Sequence, residues 1–446
     1  MRLPEGAVAG RTPGGRGGPP LAYVNARLLD PATKLDTLGG LIVRDGLIAD
    51  LGPHLAKPGA LAALGVEAID CAGACLAPGL IDIRVQLREP GEEHKETIST
   101  ASEAAAAGGV TTMVALPNTR PAIDDAALVE SVARLARETS LVRVETYAAV
   151  TRGLNGKEMT EFGLLAGAGA LGYTDGTHAT TDAQLLRRAL SYAKVFGKPV
   201  IQHPEEPGLA RGAMNEGEIS TRLGIPGTTA FAEIIQVERD LRLAELTGGR
   251  IHFSCVTTAE ALRAIRDAKA RGVGVTCDTA AHYFALNELA VGDYRTFAKV
   301  SPPLRREEDR RAVVAALQDG TIDAIVSDHA PHDQDSKRLP FAQAAFGTVG
   351  LETLLPVSLE LVHKGELDLL EVLALLTVKP AKLLGLPDGR LAKGGHADLV
   401  LFDPAAPWKI DAKELTSKSK NSAFDGHLTQ GRVKRTVAGG LTVHQA

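Results

Sequence analysis

Two textures of apolar and polar residues divide the chain. Beyond residue 20 the apolar runs are short and broken by polar positions, as in LAYVNARLL from Leu21 and GLIVRDGLIADLG from Gly40, the latter folded back at an Asp45-Gly46 turn. The C-terminal end has the same texture in ADLVLFDP and GRVKRTVAGGLTVH. Two β segments at opposite ends predict one small composite β-sandwich closed by both termini. Between them, eight apolar runs follow one another: GLIDIRVQL, TTMVALP, RVETYAAV, ALGYTD, KPVIQHPE, RIHFSCVTT, GVTCDTAAH and IDAIVSDHAPH. Stretches with helical periodicity, such as ASEAAAAGG, DAQLLRRALSYAKVFG and AEALRAIRDAKARG, separate them. Eight strand–helix units in one block predict an α/β fold closed into a (β/α)8 TIM barrel. A doubly wound open sheet alternates in the same way but does not need eight units. The expected boundaries are a disordered Gly/Pro/Arg-rich tail at 1–20, a first β-sandwich part at 21–76, the barrel at 77–391 and a second sandwich part at 392–446.

Composition changes this picture little. The 446 residues carry 44% hydrophobic and 23% charged side chains, ordinary for a water-soluble protein of two domains. A net charge of -5 gives no reason to expect nucleic acid or an anionic membrane as partner. Four cysteines, Cys71, Cys75, Cys255 and Cys277, are too few for a disulfide scaffold, so a reducing cytoplasm is the expected location. The opening MRLPEGAVAGRTPGGRGGPP lacks the apolar run of a signal peptide, and no later stretch is long and apolar enough to cross a membrane.

The candidate chemistry gathers at the C-terminal ends of the apolar runs, the face on which such barrels carry their sites. Arg84, Asn118, Asp175, His203, Cys255 and Asp328 all occupy such ends. Arg84 and Gln86 are two residues apart on one strand and so share a face, where a pair of histidines would make a metal site. Arginine is a permanent cation with no lone pair to give, and an amide oxygen is a weak substitute.

Four motifs carry a family resemblance: LREPGEEHKETISTASEAAAAGGVTTMVALPNTRP, MNEGEISTRLGIPG, SPPLRREEDR and TIDAIVSDHAPHDQDSKRLPFAQAAFGTVGLET. In this order they resemble dihydroorotase of the cyclic amidohydrolases, over about residues 21–446. The resemblance implies an amidohydrolase barrel with a β-sandwich from both termini, which closes and opens dihydroorotate in pyrimidine biosynthesis at a site with one or two zinc ions. It further implies that Arg84 and Gln86 stand where the family has its His-x-His pair, and Cys255 where it has a sixth-strand histidine. Asp175, His203 and Asp328 match retained metal positions. Arg88 and Asn118 match residues that hold the substrate carboxylate, and His332 one beside the dihydropyrimidine ring. Ser301 replaces a family asparagine and shortens one donor. The retained arginine and asparagine favour the dihydroorotase branch over hydantoinases and allantoinases.

Two readings follow. In the first, the metal is lost, Arg84 neutralises Asp175 or Asp328 in its place, and the chain is inactive or strongly impaired. Asp328 is then vestigial or a general base, and no zinc or a substoichiometric amount is expected. The resemblance supplies a role for such a chain, as a structural partner held in an assembly with aspartate transcarbamoylase. In the second, one zinc is bound by Asp175, His203 and Cys255 with a water in the fourth place, and Asp328 takes that water's proton, giving an active one-metal dihydroorotase or related cyclic amidohydrolase. Both readings leave a small carboxylate such as carbamoyl aspartate or dihydroorotate as ligand, and a homo-oligomer is expected. Each residue also has a plainer role open to it. Arg88 could be a barrel-rim arginine, His203 a satisfied core histidine and Cys255 an inert buried thiol. Cys71 and Cys75 read as structural, His94 as a solvated loop residue, and MNEGEIS as a structural turn.

Overall fold

The computed structural model describes residues 20–56 and 66–446. The expected tail at 1–20 lies, apart from Pro20, outside the described residues.

Eight parallel positions close into a barrel. The first strand, Leu80–Val85, pairs with Val110–Ala115, and that strand pairs with Arg143–Thr146. Single bridges through Tyr173 supply the fourth position, linking Ala148 to Val200. Val200–Gln202, Ile251–Phe253, Val275–Ala280 and Ala324–Val326 complete the order. A parallel bridge from Val85 to His329 and the Gln86 N–H on the His329 carbonyl at 2.9 Å join the eighth position to the first. Most strand residues are buried, as in a sheet enclosed by helices on one side and packed within itself on the other, while Arg143–Thr146 alternates half-buried and buried positions.

Several helices start where their sequences offer a cap. Asp125 accepts from the Leu128 N–H at 2.9 Å and Asp182 from the Leu185 N–H at 2.9 Å, while Thr97 and Thr100 form a reciprocal capping box. In the helix Ala183–Val195 the buried side chains Leu185, Leu186, Ala189, Leu190 and Ala193 fall at helical spacing, so one stripe faces the barrel.

Strands from both ends of the chain form one eight-stranded sheet. Its path runs Leu441–Gln445, Leu428–Ala438, Leu399–Lys409, Cys75–Pro78, Leu21–Asp30, Leu35–Arg44, Leu47–Gly52, with Glu67–Asp70 beside Leu21–Asp30. The N-terminal and C-terminal contributions meet where Cys75–Pro78 pairs antiparallel with Leu399–Phe402. Asp45 and Gly46 turn the hairpin with φ of 52° and 77°, the left-handed pair that a two-residue hairpin loop requires. Tyr23, Leu41 and Val43 belong to one apolar cluster and Ala22, Val24 and Ile42 to another, so alternate residues pack on opposite faces. Cys71 and Cys75 are buried in this region.

Residues 410–427 leave the sheet and lie on the rim of the barrel. Asn421 donates to the carbonyls of Ala330 at 3.0 Å and Gly347 at 3.1 Å and accepts from the His332 N–H at 3.0 Å. Ser419 donates to the Lys95 carbonyl at 2.7 Å. This strap ties together the loops that follow the first and eighth strands.

Candidate functional site

A cavity of about 580 Å³ opens at the C-terminal ends of the strands, and Arg84, Gln86, Arg88, Asn118, Asp175, His203, Ser301, Asp328 and His332 all line it. The strand that enters it alternates as a strand must. Val85 packs in the apolar layer between barrel and helices, while Arg84 and Gln86 on either side of it face the cavity.

Arg84 is 1% exposed, and its Nε donates to Asp328 Oδ1 at 2.7 Å. Its Nη2 lies 3.2 Å from His203 Nδ1, and its Nη1 is buried without a partner. A guanidinium only donates, so His203 Nδ1 accepts and Nε2 carries the ring proton. That proton is directed to Glu205 Oε2 at 3.1 Å, and Ser301 Oγ also donates to this oxygen. Burial works against the Arg84 charge, but the acidic groups around it, Asp328 and Asp278 among them, outweigh burial and hold it firmly protonated. Burial likewise pushes the Glu205 carboxyl up, yet the His203 hydrogen bond and the charge of Arg305 reverse this and leave it below the usual range. Asp82, fully buried below them, accepts from the backbone N–H groups of Arg84 and Ser327, both at 3.2 Å, and so fixes the first strand against the eighth.

The other expected ligands are not gathered. Both Asp175 oxygens are taken by Thr151, one by its N–H at 2.9 Å and one by its hydroxyl at 2.7 Å. Arg84 therefore pairs with Asp328 and not with Asp175. Cys255 is fully buried, and burial, with the Asp328 charge adding to it, pushes its thiol well above the ordinary range. Its backbone N–H donates to Asp278 Oδ1 at 2.7 Å, and Asp278 also holds His252 and Ser254, both at 2.8 Å. Among the described residues, the group of His, Cys, Asp and Glu ligand atoms lying within 4.8 Å of one another is Asp388, His396 and Asp398, away from this cavity. Arg143 is ion-paired with Asp388 there, so its positive charge already fills the role of a cation.

Asn118 Nδ2 donates to Gln86 Oε1 at 3.0 Å, which occupies the oxygen Gln86 would offer a metal. Arg88 is mostly buried and has a left-handed φ of 62°. Its Nε donates to the Pro331 carbonyl at 3.1 Å and its Nη1 to Glu92 Oε2 at 3.1 Å. Its Nη2 lies 3.1 Å from His332 Nε2, the same nitrogen that lies 2.7 Å from the Phe346 carbonyl. One ring nitrogen serves only one of these neighbours. The shorter contact makes Nε2–H the donor to Phe346 and leaves Arg88 Nη2 open to an acceptor from outside. Burial, and then the Arg88 charge, lower His332 to about 3, so its ring stays uncharged.

Sequence reading missed Glu205, Asp278, Thr151 and Asn421. Glu205 had a signal, since it lies two residues past His203 and follows it in KPVIQHPE. Asp278 lies in the run VTCD, and Asn421 sits in the small polar run TSKSKNS between two β segments. Nothing local marks Thr151. His94 has an exposed side chain, as expected, and Asn215 in MNEGEIS binds Glu288 and Arg305 in a buried network, a structural arrangement.

The dihydro-orotase-like family model matches residues 73–261. A dihydroorotase of Wolbachia sp. subsp. Drosophila simulans (strain wRi) is 48% identical over 427 residues, covering 95% of this chain and 95% of that protein. A dihydroorotase of Anaplasma phagocytophilum (strain HZ) is 46% identical over 428 residues, covering 96% of this chain and 95% of that one. The solved L-hydantoinase (dihydropyrimidinase) of Arthrobacter aurescens superposes with a TM-score of 0.83 at 25% identity, over 95% of this chain and 96% of that one. With a closed barrel, a sheet from both termini and relatives of this identity over nearly its whole length, the chain belongs to the dihydroorotase family.

Proposed function

We propose that this chain serves pyrimidine biosynthesis as a dihydroorotase-like protein in which a guanidinium stands in for the catalytic metal. The cavity binds a small carboxylate such as carbamoyl aspartate or dihydroorotate, and its hydrolytic chemistry is lost or strongly impaired. The folded chain then acts as a structural partner of aspartate transcarbamoylase.

One observation carries the reading: the Arg84 guanidinium lies between Asp328 and His203, bonded to both. Amidohydrolases typically carry zinc, but the donors here do not suit it. Arg84 has no lone pair, Cys255 is held as a neutral thiol, and Asp175 already has both oxygens engaged by Thr151. His203 Nδ1 and Asp328 Oδ1 are both taken by Arg84. A water in this cavity thus keeps its ordinary acidity, whereas a catalytic zinc would lower its pKa to about 7. General-base help from Asp328 would recover only about 10²–10⁴-fold in rate, and its Oδ1 already accepts a hydrogen bond from Arg84.

Ligand binding rests on different residues. Arg88 Nη2 is open to a carboxylate, and Asn118 and His332 line the same cavity. Ser301 contributes to holding His203 and Glu205 and is the least suited of the expected contacts to reach a ligand.

Calorimetry with carbamoyl aspartate and dihydroorotate, run beside a turnover assay, tests the reading. Binding that Arg88→Ala abolishes, without turnover, is the expected result. Turnover by the unmodified chain at ~1–10³ s⁻¹, the range of ordinary enzymes, would instead support a one-metal site of Asp175, His203 and Cys255 with Asp328 as base.

A further inference from the structure

The opposite face of the barrel carries a second cavity, of about 920 Å³. The start of the third strand (Val144, Glu145, Thr146), Lys198 ahead of the fifth, Leu171, the helix Ala126–Thr139 and residues 384–387 line it. The apolar layer of Tyr147, Leu171 and Ile201, packed with Leu383 and Leu384, belongs to the barrel interior and separates this cavity from the one above.

Two side chains on its wall are unusual. The Glu145 side chain makes no hydrogen bond or ion pair among the described residues, and its Oε1 is buried without a partner. Lys198 Nζ is likewise unpaired among the described residues, and the lysine is half-buried. Burial pushes Glu145 up to about 7, partly countered by the charges of Arg143 and Lys198, and burial lowers Lys198 against the pull of Glu145. Each group therefore feels the other's charge, yet they are not in contact. Leaving both half-desolvated and unbonded costs free energy that a direct ion pair would avoid. An arrangement with a gap between opposite charges suits a ligand that spans it.

We propose that this cavity is a binding site for a small zwitterion of the amino-acid class, its ammonium on Glu145 and its carboxylate on Lys198. The volume lies in the range of small-molecule sites, and the ligand completes both unpaired groups at once. The site is independent of Arg84, Arg88 and the metal question.

Calorimetry with glycine, β-alanine and γ-aminobutyrate tests it, because the three differ in the separation of their charges. Propionate and propylamine, each lacking one charge, are the controls. The expected result is a preferred length within the zwitterion series, with the controls weaker by at least about tenfold. Glu145→Gln and Lys198→Met should each erase the length preference, and Arg88→Ala should not. Acetylation of Lys198, scored by mass spectrometry against exposed Lys157 in the same sample because the free amino acids also consume the reagent, gives a second readout on the unmodified chain, and the preferred zwitterion should protect Lys198 selectively. No binding of any zwitterion at tens of millimolar, binding unchanged in both variants, or no protection of Lys198 would overturn the proposal.

Discussion

Removing one partner of the Arg84–Asp328 pair leaves the other charge where water barely reaches, since the side chains are 1% and 6% exposed. Arg84→Met should therefore destabilise the fold by about 3–5 kcal/mol, the range for breaking a buried pair, as read by urea denaturation. Adding Asp328→Asn should restore part of that loss, because it removes the stranded charge. An Arg84→Met variant as stable as the parent would mean that the pair is not the closed contact described. The cysteines give a second expectation. Burial pushes Cys71 and Cys75 up to about 11, and all four thiols are buried, so none should react with a disulfide reagent in the native state. Fast stoichiometric reaction of Cys255 would contradict its description as a neutral core thiol. His282 gives a third. Burial lowers it to about 4, with Arg84 adding to the shift and Asp328 opposing it. A histidine held uncharged in the fold contributes stability that is complete above its unfolded value near 6.5 and is lost as pH falls through its folded value. His282→Gln should accordingly flatten the decline in stability between about pH 6.5 and 4, and an unchanged slope would show that other groups govern the acid limb. At this scale the sequence told part of the story. Arg84 and Gln86 could be seen to share a face with no metal chemistry in them. That Arg84 chooses Asp328, 244 positions away, and that Thr151 takes Asp175, depends on how distant strands and loops meet, which no local pattern encodes.

Among the elements, the strap at 410–427 links ligand binding to the far end of the chain. Asn421 uses both ends of its amide on the loops that carry His332 and Gly347, and its own carbonyl accepts from Thr348 Oγ1 at 3.1 Å and the Val349 N–H at 3.1 Å. Asn421→Ala strands the His332 N–H and the Ala330 and Gly347 carbonyls, at about 1–3 kcal/mol for each one left unsatisfied, and it should also weaken carbamoyl aspartate binding because His332 and Arg88 lose their fixed placement. Denaturation and calorimetry on the same preparation separate the two effects. Lost stability with full affinity would make the strap purely structural. The strands and the three quoted helical stretches were legible because their signals are local: short apolar runs and helical stripes. The fourth barrel position was visible as ALGYTD, yet it pairs only through single bridges at Tyr173. The strap was hidden within a segment read wholly as β, since small polar residues between two strands look like an ordinary connection.

For the whole molecule, the closed barrel and the sheet from both termini matter as much as the cavity. Under the proposed loss of chemistry, the use of a chain that keeps both lies on its surface. We expect it to self-associate, and to form a complex with aspartate transcarbamoylase on co-expression that survives size-exclusion chromatography, as an interface of at least about 1,000 Å² should. Separate elution at micromolar concentration, with the transcarbamoylase unaffected by the chain's absence, would remove the partner role. Underlying all of this is the proposal that the Arg84 guanidinium takes the place of a metal. Its most direct test is the zinc content of the chain purified without chelator and with zinc supplied, measured beside the Arg84→His, Gln86→His, Cys255→His triple variant. The unmodified chain should hold less than half an equivalent, and the triple variant should gain zinc together with measurable dihydroorotase activity. A full equivalent of zinc in the unmodified chain, with His203 and Cys255 as ligands in the absorption spectrum of its cobalt form, would contradict the account.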